Sequence, residues 1–233
     1  MIDVEEKFAT VETNFTGENV AAWISPEAIP HIMKQLTELY SDRELACIRE
    51  YSTNADDSHK AVGQTRPIEV TTPNALTSPL LVIKDFGEGI SAQDIRSIYS
   101  SYGMSTKRDN VLANGRLGFG CKAAWAYSDQ FFVTSVKDGR EVAVAINRDE
   151  SGGGNFTIIH DKETDKPNGT TVSIPVMPNN KILGKAEEFF ANWQPGTVLL
   201  NGKDPSRIAE YEDLGDGIYR YPVRERYFER TIA

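Results

Sequence analysis

Cysteine is nearly absent from this chain. Its 233 residues include two, Cys47 and Cys121, with no C-x-x-C pair. Two such thiols cannot form a disulfide framework, and a reducing compartment is the simplest expectation. No apolar run is long enough to span a bilayer. The opening Met1-Ile2-Asp3-Val4-Glu5-Glu6-Lys7 has neither the basic nor the apolar segment of a signal peptide. A cytoplasmic protein with no membrane partner is therefore expected. Useful Lys/Arg runs are missing too, and a formal net charge of -9 repels phosphate backbones, so nucleic acid is not expected as a direct ligand. Internal repeats and low-complexity tracts are also lacking. The 39% hydrophobic and 25% charged content is that of an ordinary globular protein. The length suffices for one good-sized core or two small ones.

Hydrophobic spacing divides the chain. Val4, Phe8, Val11 and Phe15 suggest a weak strand or an arm within residues 1–24. Ser25-Pro26-Glu27 is a helix-start signal, and Ile29, Ile32, Met33, Leu36, Leu39 and Tyr40 follow at helical spacing. Ser41-Asp42-Arg43-Glu44 opens a second helix, expected to run to about His59. On it Arg43, Glu50, Asn54 and Asp57 fall in one polar stripe, with Leu45, Ile48, Ser52 and Ala55 behind. Strands are expected over 68–72, 80–85, 131–137, 141–147, 156–161, 170–176 and 197–200. Helices are expected over 91–101, 121–127 and 181–193. Asp138-Gly139 reads as a hairpin turn. Early helices followed by antiparallel strands predict an α+β sandwich.

Three separated segments carry chemistry. In Arg49-Glu50-Tyr51-Ser52-Thr53-Asn54-Ala55-Asp56-Asp57, Glu50 is a candidate general base that orients water toward a terminal phosphate. Asn54, one turn on, could give an amide oxygen to Mg2+, an ion that needs few protein ligands beside phosphate. In Asp85-Phe86-Gly87-Glu88-Gly89 the carboxylate at a strand end could accept from an exocyclic amine such as that of adenine. Gly87 and Gly89 would let the backbone come close to the base. Gly115-Arg116-Leu117-Gly118-Phe119-Gly120 precedes a helix whose first N–H groups could bind phosphate. Lys107, Arg108, Arg116 and Lys122 could neutralise phosphate charge, although each equally suits a plain surface. The order G-x-x-G-x-G excludes the dinucleotide fingerprint, and Cys121 before Lys122 excludes a Walker loop. Each motif alone also suits a solvated helix face, an ordinary turn or a connector; the ordered set points to a nucleotide site.

The ordered set, with the later Gly169-Thr170, resembles the GHKL ATPase superfamily of gyrase-type topoisomerases, ninety-kilodalton heat-shock chaperones, histidine kinases and MutL proteins. The resemblance implies a Bergerat fold: a two-layer α/β sandwich with a mixed, largely antiparallel sheet and a flexible lid, here 102–119. It implies ATP and Mg2+ as cofactors, Glu50 as catalytic base and Asn54 as metal ligand. It assigns nucleotide binding to Asp57, Asp85, Gly87, Gly89, Ile90, Gly115, Gly118, Phe119, Gly120 and Lys122, with Thr170 supporting Asp85 through water. Over roughly residues 20–176 the motif order is similar to that of the rIIA-type proteins of tailed phages, with Ser25-Pro26, Ser100-Ser101-Tyr102 and Tyr127-Ser128-Asp129 adding to it. The expected organisation is an arm over 1–24, a GHKL core over 25–178 and an extension over 179–233 packed on or continuing the core. About 55 residues follow Val176, fewer than the following domain that completes other branches. Slow or dimer-dependent ATP hydrolysis is therefore expected, with ATP or ADP, a homodimer and a host protein as partners. The alternative is a nucleotide-gated or non-catalytic interaction protein.

Overall fold

The structure, a computed structural model, describes residues 40–74, 78–100, 120–148, 154–207, 212–215 and 219–220. The expected arm and first helix lie outside these residues, as does most of the glycine-rich segment. Helix α1 (Arg43–Val62) begins where the Asp42 side chain accepts from Leu45 N at 3.0 Å, a cap that satisfies one otherwise orphan donor. It ends at Gly63, whose φ of 64° permits the left-handed turn that closes the last carbonyls. Strands β1 (Ile68–Thr71) and β2 (Leu80–Lys84) follow, then helix α2 (Ala92–Ser100), capped by the Ser91 hydroxyl accepting from Asp94 N.

A 3-10 helix over Gly120–Ala126 leads into β3 (Gln130–Lys137), β4 (Arg140–Arg148), β5 (Gly154–Glu163) and β6 (Gly169–Pro175). Helix α3 (Ile182–Phe190), strand β7 (Val198–Leu200) and a small ladder of β8 (Glu212–Asp213) with β9 (Tyr219–Arg220) complete the order. The hairpin between β3 and β4 turns on Asp138 and Gly139, both at positive φ, the pair a type I′ turn requires.

Seven strands form one sheet in the order β5-β4-β3-β6-β2-β1-β7. Every neighbouring pair is antiparallel except β1 with β7, which run parallel. Alternation sets the buried face: Phe131 and Val133 of β3, Val142, Val144 and Ile146 of β4, Val172 and Ile174 of β6, Leu81 and Ile83 of β2. These join Ile48, Tyr51 and Ala55 of α1, Ile182, Ala186 and Phe190 of α3, and Ala123, Ala124 and Trp125 of the 3-10 helix in a single core cluster. Each fully buried side chain of this size contributes about 1.5–3 kcal/mol. The fold is thus α+β with a mixed, largely antiparallel sheet, as expected. Among the described residues no helix is long and apolar enough to cross a membrane.

Two local expectations change. The helix expected over 121–127 is of the 3-10 type and spans Gly120–Ala126, and its Cys121 carbonyl accepts the Tyr51 hydroxyl at 2.8 Å. Asp57, expected on the polar stripe of the helix, is buried. Burial on α1 continues past its apolar back to Ala46 and Asp57, which lie close to Glu50 on the helical projection, so the polar stripe is a flank rather than an open face.

Candidate functional site

Helix α1 contacts both the 3-10 helix that starts at Gly120 and the Asp85–Gly89 turn. Toward the 3-10 helix it extends Tyr51, buried against Phe131 with ring centroids 6.2 Å apart. The Tyr51 hydroxyl donates to Cys121 O at 2.8 Å and accepts from Ala124 N at 3.2 Å. The 3-10 helix that begins at Gly120 and contains Lys122 is thereby fixed to the middle of α1. Gly115, Gly118 and Phe119 lie outside the described residues.

Toward the other end α1 extends His59, whose Nε2 accepts from Phe86 N at 2.8 Å. This bond brings the Asp85–Gly89 turn against the last turns of the helix. Asp85 lies just past β2 and is 7% exposed; its Oδ1 accepts from Gly87 N at 2.9 Å. Asp85 N donates to Thr170 O at 2.8 Å. A Cβ on Gly169 (φ 148°) would stand 2.3 Å from Asp85 O, so the turn rests directly on the start of β6.

Glu50 and Asn54 stand one turn apart on α1, both half-buried. Arg49 Nη2 and Nε bond Glu50 Oε1 at 2.9 and 3.2 Å. The pair is a surface contact, worth less than about 1 kcal/mol and readily broken. The glycines of the Asp85 turn also meet a packing requirement. A Cβ on Gly87 would lie 2.0 Å from Ser58 Oγ, and one on Gly89 (φ 74°) would lie 1.9 Å from Val136 O. Both therefore allow close packing against α1 and β3.

Ser135 is a residue next to the candidate site that the sequence reading misses. Fully buried on β3, its Oγ accepts from Ile90 N at 2.8 Å, donates to Gly169 O at 3.2 Å, and lies 2.9 Å from the hydroxyl of buried Thr170. It joins Ile90 to the Gly169-Thr170 pair. The available signal was a hydroxyl at the third inward position after Phe131 and Val133. His59 was likewise legible as the next member of the buried series Ile48, Ser52, Ala55. Burial pushes its imidazole below the usual range, with the Asp56 carboxylate acting in the opposite direction.

Among the described residues, no group of three or more His, Cys, Asp or Glu is gathered as a metal cage. A separate cleft of about 460 Å3 opens at the other end of α1, lined by Asp42, Glu44, Tyr127 and Lys185 among others. There Lys185 Nζ bridges Asp42 at 2.6 Å and Glu44 at 2.8 Å, so the charges are spent on docking α3 to α1.

No protein-family model matches the chain, and no curated protein matches it. Solved structures do. The ATPase region of Saccharomyces cerevisiae topoisomerase II superposes with a TM-score of 0.56 at 20% identity, covering 68% of this chain and 48% of that one. The same region bound to ICRF-187 (dexrazoxane) gives a TM-score of 0.57 at 18% identity, covering 74% and 56%. The chain spans about half the length of these structures. At such identity the likeness establishes the fold alone, the one seen in these ATPase regions.

Proposed function

We propose that this chain is a nucleotide-binding module that takes ATP with Mg2+ and hydrolyses it slowly. The observation that carries the reading is the double anchorage of α1. Tyr51 ties the helix to the 3-10 helix after the glycine-rich segment, and His59 ties it to the Asp85 turn. The stretch between these anchors holds Asn54, with Glu50 beside Tyr51. The fold shared with solved ATPase regions supports the same reading.

In this reading Asp85 accepts from the adenine amine, Thr170 and Ile90 flank it, and Gly120 and Lys122 lie toward the phosphates. Gly115, Gly118 and Phe119 belong to the phosphate segment by sequence alone. A buried carboxylate at the end of β2, its backbone fixed to β6, gives specificity, because a base lacking the amine forgoes that bond. Glu50, released from Arg49, orients water and takes its proton. Asn54 offers one amide oxygen, which suits an ion bound mainly by phosphate oxygens and water. The ion, when bound, supplies charge neutralisation at the phosphates. A homodimer, a host-protein partner and kinship with rIIA-type phage proteins are finer proposals that rest on motif order.

Titration calorimetry with ATP, ADP and a non-hydrolysable analogue, paired with single-turnover hydrolysis, tests the reading. Glu50→Ala is expected to keep affinity within a few fold and to lose about 10²–10⁴ in rate. Unchanged turnover removes Glu50 from its role. No binding at millimolar nucleotide leaves the non-catalytic interaction protein as the better account.

A further inference from the structure

Phe86 separates the Asp85 carboxylate from the glycine turn, and both polar atoms of its backbone are held. Its N–H donates to His59 Nε2 at 2.8 Å, and its carbonyl accepts from Gln64 Nε2 at 2.9 Å. The ring is buried, 6.3 Å from the imidazole between centroids, with the Arg66 guanidinium 3.4 Å and the Lys84 ammonium 4.8 Å from its centre. His59 is in the last turn of α1 and Gln64 directly follows its Gly63 cap. The helix end thus sets the peptide on the C-terminal side of Asp85. On the N-terminal side Asp85 N is fixed by Thr170 O.

We infer that His59 is a positioning residue for nucleotide recognition: its neutral imidazole, by accepting the Phe86 N–H, aims the Asp85 carboxylate, and protonation of His59 weakens nucleotide binding. The inference rests on the reading of Asp85 as the adenine acceptor. An imidazolium has two N–H donors and no acceptor, so protonation turns the contact into donor against donor. The buried Phe86 N–H then loses its partner, and the peptide beside Asp85 must rotate or move.

The charges around His59 come from several elements. On its own helix lie Asp56 and Lys60, paired at 2.6 Å, and the buried Asp57. Lys84 comes from β2, Arg66 from the turn before β1 where it pairs with Glu69, and Asp85 from the turn itself. Burial outweighs Asp56 and holds the imidazole below its usual range, which favours the neutral form. The sign follows from the depressed value. The unfolded chain takes the proton more readily, so this contribution is full above the usual imidazole range near about 6.5 and is lost as pH falls through the lower folded value.

Calorimetric titration with Mg·ATP from about pH 8 to about pH 5, on the wild type and His59→Gln, tests the inference. Glutamine offers an amide oxygen near the Nε2 position and does not titrate. The ligand titrates identically in both experiments, so the ratio of affinities isolates His59. Similar affinities are expected at the upper pH, with the wild type losing affinity relative to the variant as pH falls through the lowered value of His59. A ratio constant across the range overturns the inference. Failure of the wild type to bind Mg·ATP at the upper pH overturns the ATP reading and the inference with it. If His59→Gln does not fold, wild-type protein decides the matter by NMR titration of the His59 ring. Reciprocity requires Mg·ATP to lower its midpoint, by about one unit for a tenfold effect, and an unmoved midpoint overturns the inference.

Discussion

Removing a single oxygen atom from Tyr51 separates the coupling of α1 to the 3-10 helix from the packing of the core. In Tyr51→Phe the ring stays where it is, 4% exposed and beside Phe131. The hydroxyl's two contacts vanish: the bond to Cys121 O at 2.8 Å and the bond from Ala124 N at 3.2 Å. Ala124 is fully buried, so water cannot easily replace the acceptor at its N–H, whereas half-buried Cys121 leaves its carbonyl nearer solvent. One buried unsatisfied group costs about 1–3 kcal/mol, and the net loss at a part-exposed carbonyl is about 0.5–1.5 kcal/mol. A destabilisation of about 2–3 kcal/mol follows once the slight gain from burying a less polar ring is set against it. Urea unfolding followed by circular dichroism should show a lower midpoint at an unchanged slope. Because the 3-10 helix continues the glycine-rich segment, nucleotide affinity should fall together with stability. A change below about 0.5 kcal/mol would refute the reasoning, since it would mean that neither contact restrains the 3-10 helix.

Two further perturbations test other parts of the structure. Gly169→Ala should cost about 2–4 kcal/mol in thermal unfolding, because its Cβ would stand 2.3 Å from Asp85 O at a φ of 148°, and any retained fold should bind nucleotide weakly; a variant as stable as the wild type would contradict the close approach. Glu141, 3% exposed on β4, is held below the usual carboxylate range first by its bond from Lys166 at 2.5 Å, with burial opposing and His160 and Lys162 assisting. Its contribution is therefore present above the usual carboxylate range near about 4.5 and lost as pH falls through the lower folded value. The covering lysines reach solvent, so the contribution is only about 1 kcal/mol, and Glu141→Gln should flatten that part of the acid-stability profile measured by urea midpoints.

Near-neighbour spacing made much of the fold legible. The expected strands Phe131–Lys137 and Glu141–Asn147 pair along their whole length, because the inward residues must meet one core. Asp42 and Gly63 bound α1 by local chemistry, a side-chain cap and a left-handed turn, but the helix runs to Val62 rather than ending near His59. The candidate site was legible where a motif states its own chemistry, as at the proposed residues Glu50, Asn54 and Asp85. It was not legible at Ser135, whose three neighbours come from Ile90, Gly169 and Thr170, far away along the chain. Gly87 and Gly89 show the same limit: glycine announces a close approach, but Ser58 and Val136 are identified only when α1 and β3 are in place.

Periodicity, capping residues and glycine placement, which act over a few neighbouring residues, settled by themselves that this is an α+β chain with a long helix ahead of a mainly antiparallel sheet. Contacts between distant segments were left to the tertiary structure: the parallel pairing of β1 with β7, the burial of Asp57, and the anchoring of α1 by Tyr51 and His59. The reason is physical, since a hydrogen bond across 27 or 70 residues depends on how the whole core closes and leaves no periodic trace in the segment that makes it.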